Sequence, residues 1–416
     1  MMMSRVVRAS KALCLVTLLL VSPSWARRTF PDTRDKIRVF ADQLPSQLTD
    51  AQWQFVASHY AGSQKMTRDW TRRVRRLNPN FLMLHYQLAV GTGPAQFVVG
   101  NSWGSDWPQV TKHESWFLHD AAGHRLHQTA WDWDVMDIRF QGGRPRTGFP
   151  AYWLSAAVRR MRENEDDGCF ADSYTQDILT GQTQPPAPLF TDVATVQRDW
   201  LPQLNHYGAY CARGFHAQPE KFYYLPNLGG LVTSWDKTTD LLVGDGGMNE
   251  GFCTDGPPDD WALEMTRVLR LAAAGKIVLC QTGIDPAHAD RRWFIVGAYL
   301  LTKGRHSYLN MIHDSSLEWY PEYDLDLGGY LAEPQPDVAA YWDPGWHLYR
   351  RDYAKGMALV NPSSVPVSVA LATPCRLVAA AGGGPVGADG QPSGALTTTI
   401  VSSVTVPARS ARVLLK

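Results

Sequence analysis

Asp167-Gly168-Cys169-Phe170-Ala171-Asp172 and Asp245-Gly246-Gly247-Met248-Asn249-Glu250 are two copies of one pattern. In each, an Asp-Gly pair opens a short apolar stretch and a carboxylate closes it. Glycine after a helix can take φ > 0, which lets a helix stop and a strand begin. Side chains alternate faces along a strand, so Phe170 shares a face with Asp172, and Met248 with Glu250. An inward apolar residue followed by an inward acid at the C-terminal tip is what an active-site strand of a (β/α)8 barrel needs. Two such strands bring two carboxylates to one rim, an arrangement that points to hydrolysis of glycosidic bonds.

Outward from these copies, strand-like and helix-like stretches alternate, as a parallel sheet with crossover helices demands. The strands are expected at Ile37–Asp42, Asn80–Gln87, Val135–Asp137, the first copy, Phe222–Asn227, the second copy, Lys276–Gln281 and Ser307–Met311. A helix is expected from Asp50 with Thr49 as its N-cap, and others over 151–164, 192–213, 259–274 and 286–303. In the fourth of these, Trp261, Met265, Val268 and Ala272 fall on one face. The predicted fold class is therefore α/β, a (β/α)8 barrel over 27–336. Residues 337–416 turn to alternating Val and Leu with Gly, Thr and Ser, which predicts a small antiparallel β-sandwich. The stretch Gly91–Trp133 is too long for an ordinary connection, and Asp120-Ala-Ala-Gly123 predicts a hairpin turn inside it. Long loops after barrel strands lie at the catalytic rim, so this insertion is expected to wall one side of a cleft.

The first 26 residues read as a secretory leader. Arg5, Arg8 and Lys11 precede the apolar run Ala12–Val21, too short to span a membrane, and Ser24-Trp25-Ala26 suits cleavage. A secreted or periplasmic protein is expected, with no membrane insertion after cleavage. The formal net charge of +0 gives no general attraction to nucleic acid. The basic cluster Arg68, Arg72, Arg73, Arg75 and Arg76 reads as a solvated helix face. Of six cysteines, Cys14 lies in the leader. Cys169 and Cys280 fall inside strands as buried thiols, which leaves Cys211, Cys253 and Cys375 as disulfide candidates.

Asp172 and Glu250 are the catalytic candidates, weighed against acids that merely cap strand ends. On alternate strands their backbones stand roughly 9 Å apart. That permits either the ~5.5 Å carboxyl pair of a retaining glycosidase or the ~6.5–9.5 Å pair of an inverting one. Asp42 and Asp137 end strands and suit sugar hydroxyls, or simple rim salt bridges. Tyr86, Gln87, Asn227 and Gln281 are hydrogen-bonding residues at strand ends, suited to hydroxyl recognition or to a hydrogen-bonded rim. Trp103, Trp107 and Trp131 are loop aromatics that could stack on sugar faces or fill a core. His113, His119, His124 and His127 have spacings that match no zinc motif, so no metal and no cofactor is predicted.

At this point three segments together resemble a known group. The Asp167–Ser173 strand, the Asp245–Phe252 strand and the Trp116–Gly123 hairpin are similar to the hypothetical TIM-barrel glycoside hydrolases, specifically glycoside hydrolase-like family 15. The resemblance spans roughly 38–361. It implies a retaining-type barrel related to α-galactosidase and α-amylase folds, acting on an oligo- or polysaccharide. By that analogy Asp172 is the nucleophile and Glu250 the acid/base. In α-galactosidase-like barrels the second acid is usually Asp, and in α-amylases it comes from the fifth strand, where this chain has Asn227. A carbohydrate-binding barrel without catalysis is the alternative of a different class, and a metal-dependent hydrolase is a second rival.

Overall fold

The computed structural model describes residues 27–94, 106–129, 132–174, 183–184, 193–229, 243–253, 258–314 and 316–416. Eight parallel strands form its centre: β1 (Val39–Ala41), β2 (Tyr60–Gln64), β3 (Leu82–Leu88), β4 (Gly168–Asp172), β5 (Tyr223–Pro226), β6 (Gly246–Glu250), β7 (Ile277–Gly283) and β8 (Ser307–Ile312). They hydrogen-bond in the order β5-β4-β3-β2-β1-β8-β7-β6. The ring closes where Asn227 bridges Met248 and the Leu228 N–H donates to the Met248 carbonyl at 2.9 Å. Around the ring run α1 (Asp50–His59), α2 (Arg68–Leu77), α3 (Phe149–Asn164), α4 (Leu201–His216), α5 (Pro258–Ala273) and α6 (Ala289–Thr302). Thr49 caps α1 in a reciprocal box with Gln52. Trp261, Met265, Val268 and Ala272 are the buried stripe of α5, as their spacing predicts.

Two expected strands move. Tyr60–Gln64 is the second barrel strand, so Leu82–Leu88 becomes the third. Trp133–Val135 instead joins an antiparallel sheet with Gly91–Thr92, His127–Gln128 and Thr183–Gln184. Tyr-Ala-Gly-Ser-Gln contains no β-branched residue, so local propensity does not mark it as a strand. Its neighbours do: Gly62 pairs with Phe40 on one side and Leu82 on the other. A Cβ at Gly62 would stand 2.6 Å from the Leu82 Cβ and from the Phe40 ring, so only glycine lets the three strands close up.

The Asp-Gly copies owe their form to the bottom of the barrel. Asp167 is fully buried and accepts from the Met83 N–H (3.0 Å), from Arg75 (2.7 Å) and from Arg28 (3.1 Å). Asp245 likewise accepts from the Tyr224 N–H and from His216, both at 2.9 Å. Each aspartate thus ties its strand to the start of a neighbour. Each following glycine admits close approach: a Cβ on Gly168 would lie 2.5 Å from the Tyr223 Cβ, and one on Gly246 would strike the Ile277 carbonyl. Of the five arginines expected on a solvated face of α2, Arg75 departs from it. It is buried, and Arg68, Arg72 and Arg73 pair with Glu165 and Asp50.

Leu82, Leu84, Phe170, Leu225, Met248 and Leu279 fill the barrel interior. Phe30 plugs it from below, edge-on to Tyr223 (5.0 Å) and Tyr308 (5.4 Å). Apolar burial of this kind contributes about 25 cal/mol per Å² removed from water.

Beyond the barrel, six antiparallel strands form one sheet, in the order Trp342–Asp343, Leu348–Tyr353, Gly356–Asn361, Ser410–Leu415, Val367–Ala381, Ala395–Val406. The last hairpin shifts register between Ala370 and Cys375 and folds back. Val369, Val404 and Val406 there cover Met357, Leu359 and Leu414, which makes the expected small sandwich. The alternate residues Ala358, Val360, Ala411 and Val413 face the other way and share a core with α6. The five described cysteines are all buried free thiols, so Cys211, Cys253 and Cys375 form no disulfide with one another.

Candidate active site

The inward face of each barrel strand ends in a polar residue at the C-terminal rim. On β3, Leu82, Leu84 and Tyr86 point in; on β4, Phe170 and Asp172; on β6, Met248 and Glu250. A left-handed residue breaks the strand directly after each acid: Ser173 at φ 50° and Gly251 at φ 81°. The turn ends strand pairing and leaves the carboxylate at the tip.

The acids meet through Asn227, which follows β5. Its Nδ2 donates to Asp172 Oδ1 at 2.7 Å and to Glu250 Oε2 at 2.6 Å. Both distances run to one nitrogen, so those oxygens stand no farther apart than the sum of the two, about 5.3 Å. The other Asp172 oxygen, Oδ2, accepts from the Tyr86 hydroxyl. Burial, then the Asp172 charge, push the Tyr86 phenol far above its ordinary range, so it remains a donor. Two donors thus fix the Asp172 carboxylate at the rim.

Glu250 shares the Asn227 donor. Burial of its carboxyl raises its pKa above the ordinary 4.5, the Asn227 donor pulls it back, and the charges of Asp172 and Asp42 raise it further. The residue as a whole is exposed at the cleft mouth. Its carboxyl lies against Asn227 at 2.6 Å.

Asp42 takes its place at the tip of β1, where Gln64 and Lys65 donate to its two oxygens, Lys65 at 2.8 Å. Gln281 pairs in register with Glu250 and shares the inner face with Ile277 and Leu279. It is 8 % exposed, and its Oε1 has no hydrogen-bond partner among the described residues. Asn310, opposite Gln281 on β8, completes that side of the ring.

Three expected residues lie elsewhere. Gln87 follows inward Tyr86 and so faces outward, with Oε1 3.3 Å from His85 and from Arg160 behind the sheet. Asp137 lies just past the insertion, both oxygens held by Arg139 at 2.8 and 2.9 Å. Trp107 packs edge-on to Phe117 at 6.1 Å in the core of the insertion. Trp103 and Trp131 lie outside the described residues. The Asp120–Gly123 hairpin forms as expected, Asp120 N–H donating to the His124 carbonyl at 2.8 Å. His119, His124 and His127 are each hydrogen-bonded to a carboxylate, of Glu114, Asp120 and Asp134. The insertion starts beside the site, with the Ala89 N–H on the Asp172 carbonyl at 2.7 Å.

Sequence reasoning missed Gln64, Lys65 and Asn310. The first two went with the unseen β2. Asn310 was legible from period two, counted from inward Tyr308.

With two carboxylates on one rim, joined across the fifth strand, the family can be read. The chain belongs to the hypothetical glycosyl hydrolase family 15. The family's sequence profile matches residues 75–357, and the chain is accordingly a glycoside hydrolase with a barrel at its centre. No curated protein matches the chain in sequence. Among solved structures it is similar to the glycoside hydrolase domain of PelA from Pseudomonas aeruginosa, at 12% identity and TM-score 0.41, covering 68% of this chain and 96% of that one. It is also similar to Eubacterium rectale Amy13B, at 9% identity and TM-score 0.41, covering 94% and 97%. A third is the pullulanase from Bacillus acidopullulyticus, at 11% identity and TM-score 0.43, covering 94% of this chain and 62% of that one.

Proposed function

We propose that this member of the family is a retaining glycoside hydrolase of oligo- or polysaccharides. Asp172 is the nucleophile and Glu250 the acid/base. The observation that carries the reading is the shared donor, Asn227 Nδ2, on both carboxylates. It keeps the two facing oxygens within about 5.3 Å of each other, which fits the close carboxyl pair of retaining enzymes better than the ~6.5–9.5 Å that admits an attacking water.

The reaction gives each acid one role. Protonated Glu250 gives its proton to the glycosidic oxygen while ionised Asp172 attacks the anomeric carbon. The bond to the leaving group breaks and an ester to Asp172 forms. Glu250, now a carboxylate, takes a proton from water, whose oxygen attacks the same carbon and releases Asp172. Tyr86 and Asn227 hold Asp172 through both steps. Gln281, Asn310 and Asp42 offer amide and carboxylate groups to sugar hydroxyls.

The test is product analysis on a glycan library followed by NMR of the first anomer released. Retention supports the reading; inversion overturns it. Saturable binding with no cleavage would make the protein a carbohydrate-binding barrel. We further propose export, from the leader expected over 1–26, and the division at 27–336 and 337–416.

A further inference from the structure

The strand hidden from sequence reading carries a lysine into the site. Lys65 follows β2 with φ 64°, a left-handed conformation that L side chains rarely adopt. Strain of this kind gathers where surrounding structure enforces a geometry. The ammonium reaches Asp42 Oδ2 at 2.8 Å and stands 4.7 Å from the centre of the Tyr86 ring. The Lys65 and Asp42 side chains are only 17% and 14% exposed. Tyr86 in turn donates to Asp172. An ordinary rim salt bridge requires neither the strained backbone nor the aromatic contact.

We infer that Lys65 is a positioning residue for the two acids: it braces Tyr86 on Asp172 and, with Asp42, sets the charge that Glu250 feels. The inference rests on Asp172 and Glu250 being the nucleophile and the acid/base. The groups around Glu250 are Asp172 on β4, Asn227 after β5, Asp42 after β1, Lys65 after β2, the Tyr86 phenol on β3 and the Gln281 amide on β7. Asp172 and Asp42 raise its proton affinity, whereas Asn227 and Lys65 lower it. Removing the lysine charge therefore makes Glu250 hold its proton to higher pH. Removing the Asp42 charge does the reverse. A structural role alone would not move Glu250 in opposite directions.

The experiment compares wild type with Lys65→Met, Lys65→Arg and Asp42→Asn, each checked for cooperative melting. The Glu250 carboxyl is titrated by 13C NMR without substrate, and kcat and KM are followed against pH on a glycoside with a poor leaving group, where proton donation matters most. Lys65→Met should move the Glu250 titration and the alkaline limb upward and lower kcat about tenfold, with KM changed less than threefold. Asp42→Asn should move both downward, and Lys65→Arg should restore the wild-type titration. Equal titration curves for wild type, Lys65→Met and Asp42→Asn, or shifts of the same sign, overturn the inference. If Lys65→Met does not fold, Asp42→Asn against Lys65→Arg decides by the same signs. Full turnover in Asp172→Asn and Glu250→Gln would sink the functional reading instead, and the NMR titration would still judge Lys65.

Discussion

Gly297 of α6 lies against Ala411 of the C-terminal sheet so closely that a methyl group on Gly297 would run into the Ala411 Cβ. Around this contact the sheet completes the barrel's outer layer. Arg351, buried on the sheet, donates to the carbonyls of Leu300, Leu301 and Lys303 at 3.2, 2.9 and 2.6 Å. Those are carbonyls at the C-terminal end of α6, which a helix cannot satisfy itself. Truncation after Pro336 should therefore expose an apolar face and leave these acceptors bare, giving aggregated protein on size exclusion. Gly297→Leu in the full chain should lower stability by about 1–3 kcal/mol, from overpacking. A soluble barrel with the parent melting temperature would show the sheet to be an appendage.

Asp172→Asn removes the attacking charge with little change of shape, so turnover should fall by several orders of magnitude. Glu250→Gln should hurt most with poor leaving groups, since proton donation matters most there. An activated aryl glycoside should escape part of that loss. Azide should restore turnover to an alanine variant of the acid/base and return a glycosyl azide of retained configuration. If both amide variants turn over a confirmed substrate at near the parent rate, the assignment of roles is wrong.

The raised pKa of Glu250 has a consequence for stability. The folded protein keeps this proton at pH values above 4.5 where an unfolded chain has released it. The native state then binds more protons than the unfolded state, so stability falls as pH rises through that window. Glu250→Gln removes the charge that causes the fall. Its melting temperature at pH 7 should exceed the parent's, and the gap should close below about pH 4. A variant melting below the parent at pH 7 would contradict this.

Asn227→Ala takes one donor from each acid at once. Asp172 keeps Tyr86, but Glu250 loses the group that holds its pKa down. The alkaline limb of kcat/KM should move to higher pH, and kcat should fall about 10- to 1,000-fold as the pair loses its spacing. An unchanged pH profile would show that Asn227 does not bridge the acids in solution.

The leader has its own measurement. Intact mass of exported protein should begin at or near Arg27. Protein retained with Met1 in place would mark the segment as an anchor.

What the sequence by itself determined is what lies in short range. The Asp-Gly strands, the amphipathic face of α5, the Thr49 cap and the Asp120–Gly123 turn each follow from neighbours in the chain, because propensity and side-chain period act over a few residues. Asp172, Asn227, Glu250 and Gln281 were legible for the same reason: each ends a run whose inward face can be counted. Tertiary structure alone decided β2, whose Tyr-Ala-Gly-Ser-Gln run becomes a strand only when β1 and β3 close on Gly62. It decided the outward turn of Gln87 and the capture of Asp137 by Arg139. It also decided that the amide of Asn227 would fall between two acids far apart in sequence. Pairing across a barrel depends on register between distant segments, and no local pattern along the chain encodes the distance at which two strand tips meet.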